Sequence, residues 1–318
     1  LVSDWQAIDQ INPSDYDDSV ITAVNAGIDM NMVPYDYKRF ITTLTSAVEN
    51  GDIGMGRIDD AVRRILKAKF SLGLFENPFP DPDQLAQIGS DAHRELAREA
   101  VRQSLVLLKN EAGTLPLSKK TPLIFVGGEA ADNIGMQSGG WTIEWQGKPG
   151  NITPGTTILE GIEAAVSHDT SVHFNRFGKF DDLTTSNGDL AIADVGIAVV
   201  GERPYAEGVG DSADLSLSDR DLAVIAGLRE RSKRLVIILI SGRPLIITEP
   251  LELTDAFVVA WLPGSEGAGV ADLLFGEAPF TGKLPYTWPR DITQLPAAGI
   301  TDPLFPLGYD LATEVPAQ

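Results

Sequence analysis

The chain contains no cysteine, which removes disulfides, thiolate nucleophiles and every Cys-containing zinc pattern together. The redox compartment stays open. Histidine is nearly as scarce: only His93, His168 and His173 occur, too little material for a His-rich metal site or a Ser-His-Asp triad. His93 sits on the first turn of an evident helix, and His168 and His173 read as surface residues around a strand start. Basic residues are outnumbered, 25 against 45 acidic, for a formal charge of −20. That field repels nucleic acid and anionic membrane. No apolar run is long enough to span a bilayer, and no charged segment followed by an apolar stretch stands at the amino end.

What is present is a core. Of 318 residues, 43% are hydrophobic, enough for one large core or two ordinary ones, and the length favours two domains. Residues 1–73 hold a strand end (Leu1, Val2), the stretch SVITAVNAGIDMNMVP and the helix RIDDAVRRILKAKFSLG. In that helix Ile58, Ala61, Val62, Ile65, Leu66 and Phe70 recur at helical spacing and Gly73 supplies the stop. LFENPFPDPDQLA, rich in Pro and Asp, marks a linker over residues 74–90.

From residue 91 to 318 the pattern is regular. HRELAREAVRQSLVLLKN reads as one helix with Leu96, Ala97, Ala100, Val101, Ser104, Leu105 and Leu108 on its apolar face. TPLIFVGG, SVHFNRF, DVGIAVVGE, RLVIILISG and AFVVAWLPG read as strands. They are continuously apolar rather than alternating, as expected for a parallel sheet covered by helices on both faces. TTILEGIEAAVSH, SDRDLAVIAGLRERS and GAGVADLLFGE supply helices, and Ser218 with Asp221 resembles a capping box. The fold class is α/β, a mostly parallel α/β sandwich, and the tail past Asp310 is expected as a short surface extension.

In such a sheet, ligands meet the loops at the carboxyl ends of the strands. EAADNIGMQSGGWTIEWQG carries Trp141 and Trp145, RPYAEGVGD brings Glu202, Glu207 and Asp211 among glycines, and SEGAGVADLLFG runs glycines into a helix. The last lacks a Walker lysine and a clean GxGxxG, and tight strand-to-helix packing explains its glycines as well as phosphate does. Two tryptophans four apart on a glycine-rich polar loop favour ligand contact over packing. Indole faces match the C–H face of a pyranose and leave the N–H free to bond.

Retaining cleavage of a glycosidic bond needs a carboxylate nucleophile and a protonated carboxyl acid about 5 to 5.5 Å apart. Among 45 acids most are solvated surface, but Asp4 follows a strand end and Glu207 lies on a Gly-punctuated loop.

Several motifs in order resemble glycoside hydrolase family 3, and within it the β-D-glucan exohydrolases and β-glucosidases. They are VSDW, AGIDMNMVP, RIDDAVRRILKAKFSLGLFENP, REAVRQSLVLLKN, ADNIGMQSGGWTIEWQG, GERPYAEGVGD, SGRP, WLPGSEGAGVADLLFGE and PLFPLGY. The resemblance runs over almost the whole chain. It implies a (β/α)8-like barrel, of which residues 1–73 are the C-terminal remnant, followed by the sandwich domain. The Asp of SDW is the family's nucleophile, which falls on Asp4, with Trp5 lining the glycone pocket. The Glu of the PYxE loop is the acid/base, which falls on Glu207, and the paired tryptophans, Trp141 and Trp145, clamp the sugar beyond the scissile bond. Met32 falls near the pocket. Gln6 and Gln10 stand where plant relatives often carry an acid and an arginine.

The resemblance further implies retaining, exo-acting hydrolysis of β-glucosidic bonds in β-glucans and gluco-oligosaccharides. No metal or organic cofactor is required, and the location is secreted or periplasmic. About six strand-helix units precede the SDW strand in such barrels, so the expected partner is an N-terminal barrel segment, in a longer polypeptide or as a separate chain. The alternatives are a relative of other specificity, such as a β-xylosidase, and a noncatalytic carbohydrate-binding or inactive fragment. The His-Asp acid/base that marks the N-acetylglucosaminidases is not the pattern here.

Overall fold

A computed structural model describes residues 1–296 and 299–313. The chain divides into two compact units, Leu1–Ile88 and Gly89–Gln318.

In the first unit Val2 and Met30 form a parallel bridge. Helices α1 (Tyr16–Asn25), α2 (Tyr37–Glu49) and α3 (Met55–Ser71) follow in order. The Asp15 carboxylate caps α1, accepting from the amides of Asp17 and Asp18, which satisfies donors a helix start leaves open. The core is Ile8, Val20, Ala23, Val24, Ala47 and Ile53, with Ile58 packed against it. Leu1 and Val2, read from the sequence as a strand end, are 77% and 62% exposed. On α3 only Ala61 of the apolar stripe is buried, and Val62, Leu66 and Phe70 stand exposed.

The second unit is built on a six-stranded sheet. Helix α4 (Asp91–Ser104) leads into β1 (Val106–Asn110), β2 (Leu123–Gly127), the short α5 (Ile134–Ser138), α6 (Ile158–Ala165) and β3 (Ser171–Asn175). Then come β4 (Ala193–Gly201), α7 (Asp219–Arg231), β5 (Ser232–Ile240), α8 (Thr248–Leu253), β6 (Ala256–Trp261) and α9 (Gly267–Leu274). The strand order is β1-β6-β5-β4-β2-β3, with β2 to β6 parallel to their neighbours and β1 antiparallel to β6. Side chains alternate between two cores: Val195, Ile197 and Val199 enter one, while Ala198 and Val200 enter the other. Burial on both faces is why β4 reads as one apolar run.

The sequence reading of one long helix over 93–110 is overturned at its end. Helix α4 stops at Ser104, and Leu105, Val106, Leu107 and Leu108, all buried, pass into β1 beside β6. A run of four apolar residues fits a helix stripe or a doubly covered strand equally well, and the open edge of β6 decides between them. The expected apolar face of α4 holds only at Val101, which is buried in the core; Leu96, Ala97 and Ala100 are exposed. The helix instead turns Arg94, Arg98 and Arg102 toward α9. Arg94 binds Glu266 (2.9 Å), and Arg98 and Arg102 both bind Asp272 (2.7 Å to Oδ2 from each). Glu266 and Asp272 are 3% and 5% exposed, and buried carboxylates demand partners more strongly than alanines demand cover.

Burial opposes ionisation of Asp272, but hydrogen bonds from Arg98 and Arg102 outweigh it and hold its carboxyl below the usual range. A depressed native pKa adds stability that is present above the unfolded carboxylate pKa and is lost as pH falls through the native one. Asp272→Asn is expected to cost about 2–3 kcal/mol at pH 7, below the ~3–5 kcal/mol of a fully buried pair because both guanidiniums are partly wet. Urea unfolding of the two proteins from pH 7 to pH 3 checks this, and the difference should shrink toward the acid end.

The GAG stretch is a packing device. A Cβ on Gly267 would lie 2.5 Å from the Ile158 amide nitrogen, and one on Gly269 would lie 2.9 Å from Val101, so these glycines let α9 meet α6 and α4. At α7 the box expected from Ser218 and Asp221 is half formed: Ser218 Oγ accepts from the Asp221 amide, but the Asp221 carboxylate takes the Ser218 hydroxyl. A complete box stands unforeseen at α6, from Thr157 and Glu160. The tail past Asp310, expected as a short surface extension, is tied down over its described part: the Leu311 amide donates to the Leu107 carbonyl (3.2 Å), and Thr313 Oγ1 accepts from the Phe280 amide. Residues 314–318 lie outside the described residues.

Candidate functional site

In the first unit, Asp4 and Met32 lie just past the two bridged segments, on the side of their carboxyl ends. Their loops are laced together: the Ser3 amide donates to Met30 O (2.9 Å), the Gln6 amide to Met32 O (3.0 Å), and the Met32 amide to Ser3 Oγ (2.8 Å). Asp4 itself is exposed, and its Oδ1 accepts from the Trp5 amide (2.7 Å). Gln6 then turns through the left-handed region (φ 52°). Trp5, 57% exposed, meets Tyr35 edge to face with centroids 6.1 Å apart. Met32 is half-buried.

In the second unit two loops at the carboxyl end of the sheet meet. The loop after β2 carries Trp141 and Trp145, 70% and 55% exposed, with ring centroids 6.4 Å apart and planes at 57°. The backbone holds them: the Trp141 amide donates to Trp145 O (2.9 Å), and Trp141 and Ile143 both take the left-handed region. The loop after β4 carries Glu207. The Trp145 indole donates from Nε1 to Glu207 Oε2 (2.7 Å), so an exposed aromatic and an exposed carboxylate share one surface. The contact requires glycine: a Cβ on Gly140 would lie 2.0 Å from the Tyr205 carbonyl oxygen.

The three acids of the second loop separate into different roles. Glu202 is an anchor, accepting from Tyr205 Oη (2.8 Å), Ser241 Oγ (2.7 Å) and Arg243 Nε (3.0 Å) and Nη2 (2.6 Å). Burial first, then the hydrogen bond to Glu202, pushes the Tyr205 phenol above its ordinary pKa, so it stays a donor. Arg243 also lies over the Tyr205 ring (4.5 Å) and donates to Gly210 O (2.6 Å), closing the base of the loop. Asp211 is exposed and takes no part in that network.

Two glutamines were missed by sequence reasoning. Gln137, fully buried, donates to Gly264 O (3.0 Å) and accepts from the Ile158 amide (2.9 Å), stitching three segments at this end of the sheet. Gln146 bonds to the Ala206 amide (2.8 Å) and to Glu207 O (3.3 Å). Its adjacency to Trp145 was the only signal in the sequence. Among the described residues no group of three or more His, Cys, Asp or Glu is placed to hold a metal ion.

The structure thus brings Trp141, Trp145 and Glu207 together in the second unit, and Asp4, Trp5 and Met32 together in the first. The solved exo-1,3/1,4-β-glucanase of a Pseudoalteromonas species is 36% identical and superposes with a TM-score of 0.85, over 99% of this chain and 41% of that one. The description "Glycosyl hydrolase family 3 C-terminal domain" matches residues 105–313 and "Glycosyl hydrolase family 3 N terminal domain" matches residues 1–68. The chain belongs to glycosyl hydrolase family 3.

Among its relatives, the lysosomal β-glucosidase of Dictyostelium discoideum is 34% identical over 98% of this chain and 41% of its own length. The periplasmic β-glucosidase of Salmonella typhimurium is 31% identical over 93% of this chain and 42% of its own. The chain spans about two fifths of the length of these relatives.

Proposed function

We propose that this chain carries the acid/base half and the nucleophile of a retaining, exo-acting β-glucosidase or exo-β-glucanase. The observation that carries the reading is the Trp145 indole bound to Glu207 at 2.7 Å, which sets a sugar-sized aromatic surface and a carboxyl on one face of the domain.

In the first step an Asp4 carboxylate oxygen attacks the anomeric carbon while Glu207 gives its proton to the departing glycosidic oxygen. Asp4 Oδ1 already accepts the Trp5 amide, which leaves Oδ2 for the attack. Trp145 occupies Glu207 Oε2, which leaves Oε1 to carry the proton. In the second step Glu207 takes a proton from water, whose oxygen displaces Asp4, and two inversions give net retention. Trp141 and Trp145 offer indole faces to the sugar beyond the scissile bond, and Trp5 and Met32 line the glycone side.

This reading takes residues 1–73 as barrel, 74–90 as linker and 91–318 as sandwich. It includes an N-terminal barrel segment, in the same polypeptide or a separate chain, that holds the glycone sugar, as the greater length of the relatives supports. The names of those relatives, lysosomal and periplasmic, also support a site of action outside the cytosol.

The test is the anomer released first. Hydrolysis of an aryl β-glucoside by the complete enzyme, followed by proton NMR before mutarotation, should show β-glucose. Initial α-glucose would make the reaction inverting and remove the covalent role of Asp4, and sugar binding without turnover would favour a binding module.

A further inference from the structure

Glu207 stands on a tight reversal in which the Val209 amide donates to Glu207 O (3.0 Å) and the Gly210 amide to Ala206 O (2.8 Å). The base of the loop is fixed by Glu202 and Arg243, but its tip projects into solvent, with Val209 71% exposed. Among the described residues, the hydrogen bonds reaching Ala206 and Glu207 from another segment all come from Trp145 and Gln146.

Gln146 makes two of them. Its Oε1 accepts from the Ala206 amide (2.8 Å) and its Nε2 donates to the Glu207 carbonyl (3.3 Å). An amide N–H can only donate and a carbonyl can only accept, so the partners themselves fix which end of the side chain faces which. One planar group therefore ties down the loop backbone at the peptide entering Ala206 and again at the Glu207 carbonyl, which limits how the intervening chain can carry the Glu207 side chain. Being neutral, it does so without adding charge beside the carboxyl.

Resting on the proposed function, we propose that Gln146 is a positioning residue for proton transfer: its amide aims Glu207 at the leaving oxygen. Proton donation demands hydrogen-bond geometry, and misplacement by about 1 Å costs on the order of 10²-fold. Only substrates whose leaving group needs that proton should register the loss.

The experiment compares kcat/KM of the complete enzyme on two substrates, a β-linked glucose disaccharide and 2,4-dinitrophenyl β-glucoside, whose leaving group departs unprotonated. Gln146→Met, similar in length but without the amide, should lose about 10- to 100-fold on the disaccharide and less than about 3-fold on the dinitrophenyl glucoside. Gln146→Ala repeats the comparison should the longer side chain disturb the loop, and Glu207→Gln is run beside both. Equal losses on the two substrates, or none on either, overturn the positioning role. If Glu207→Gln itself shows no split, the assignment of Glu207 fails and takes this inference with it. If Glu207→Gln splits and both Gln146 variants do not, Gln146 alone is wrongly assigned.

Discussion

Asp4→Asn should reduce turnover by more than about 10⁴-fold, and by a similar factor on a disaccharide and on an activated aryl glucoside, the scale expected when a covalent nucleophile is lost. The amide nitrogen that replaces one carboxylate oxygen has no charge with which to stabilise an oxocarbenium-like centre and forms no glycosyl ester. The leaving group is irrelevant to that deficit, since the bond to carbon must form whichever aglycone departs. The substitution is nearly isosteric, and Asn Oδ1 still accepts the Trp5 amide that Asp4 Oδ1 accepts, so unfolding is not the expected cause. Kinetics on both substrates check the uniformity of the loss. Mass spectrometry after treatment with a 2-fluoro-2-deoxy glucoside should find the adduct on the peptide holding Asp4 and none in the variant.

Glu207→Gln should behave differently. General acid catalysis is worth about 10² to 10⁴-fold, so kcat/KM on the disaccharide should fall by that range, while the dinitrophenyl glucoside should be spared in its first step. Deglycosylation then becomes limiting because the same carboxyl activates water, and azide, which needs no base, should raise turnover and yield the glycosyl azide. Indifference to azide, or equal losses on both substrates, would move the acid/base role to another carboxyl. Trp145 sharpens the contrast: its indole donates to Glu207 Oε2, so a glutamine there keeps that bond only when its carbonyl oxygen faces Nε1. Crossed kinetics of the two variants thus separate a role in bond formation from a role in proton transfer.

The parallel strands were legible because each is an unbroken apolar run. LIFVG, VGIAVVG and VIILI read as doubly covered strands and are β2, β4 and β5. Helices α7 and α9 were equally plain. The loops at the sheet's carboxyl end drew notice for their composition, glycines around tryptophans and acids, and the structure does bring Trp145 to Glu207 across 62 positions. Composition did not distinguish Glu202 from Glu207. One is locked to Ser241 and Arg243, and the other stands exposed beside an indole, a difference set by residues about 40 positions away.

What the sequence determined by itself, then, is whatever local pattern controls: which runs are strands, where α7 and α9 lie, and which loops are unusual. Tertiary structure alone decided the rest. VLLKN became β1 because β6 offered an unpaired edge. Helix α4 turned arginines inward because Glu266 and Asp272, some 170 positions on, are buried and need cations beside them. Gln146 met Ala206 and Glu207 because glycines let two loops approach to backbone contact. Strand runs and helix stripes are set by neighbours a few residues away, whereas edge pairing, buried charge and loop contact are settled by groups that only the folded chain brings together.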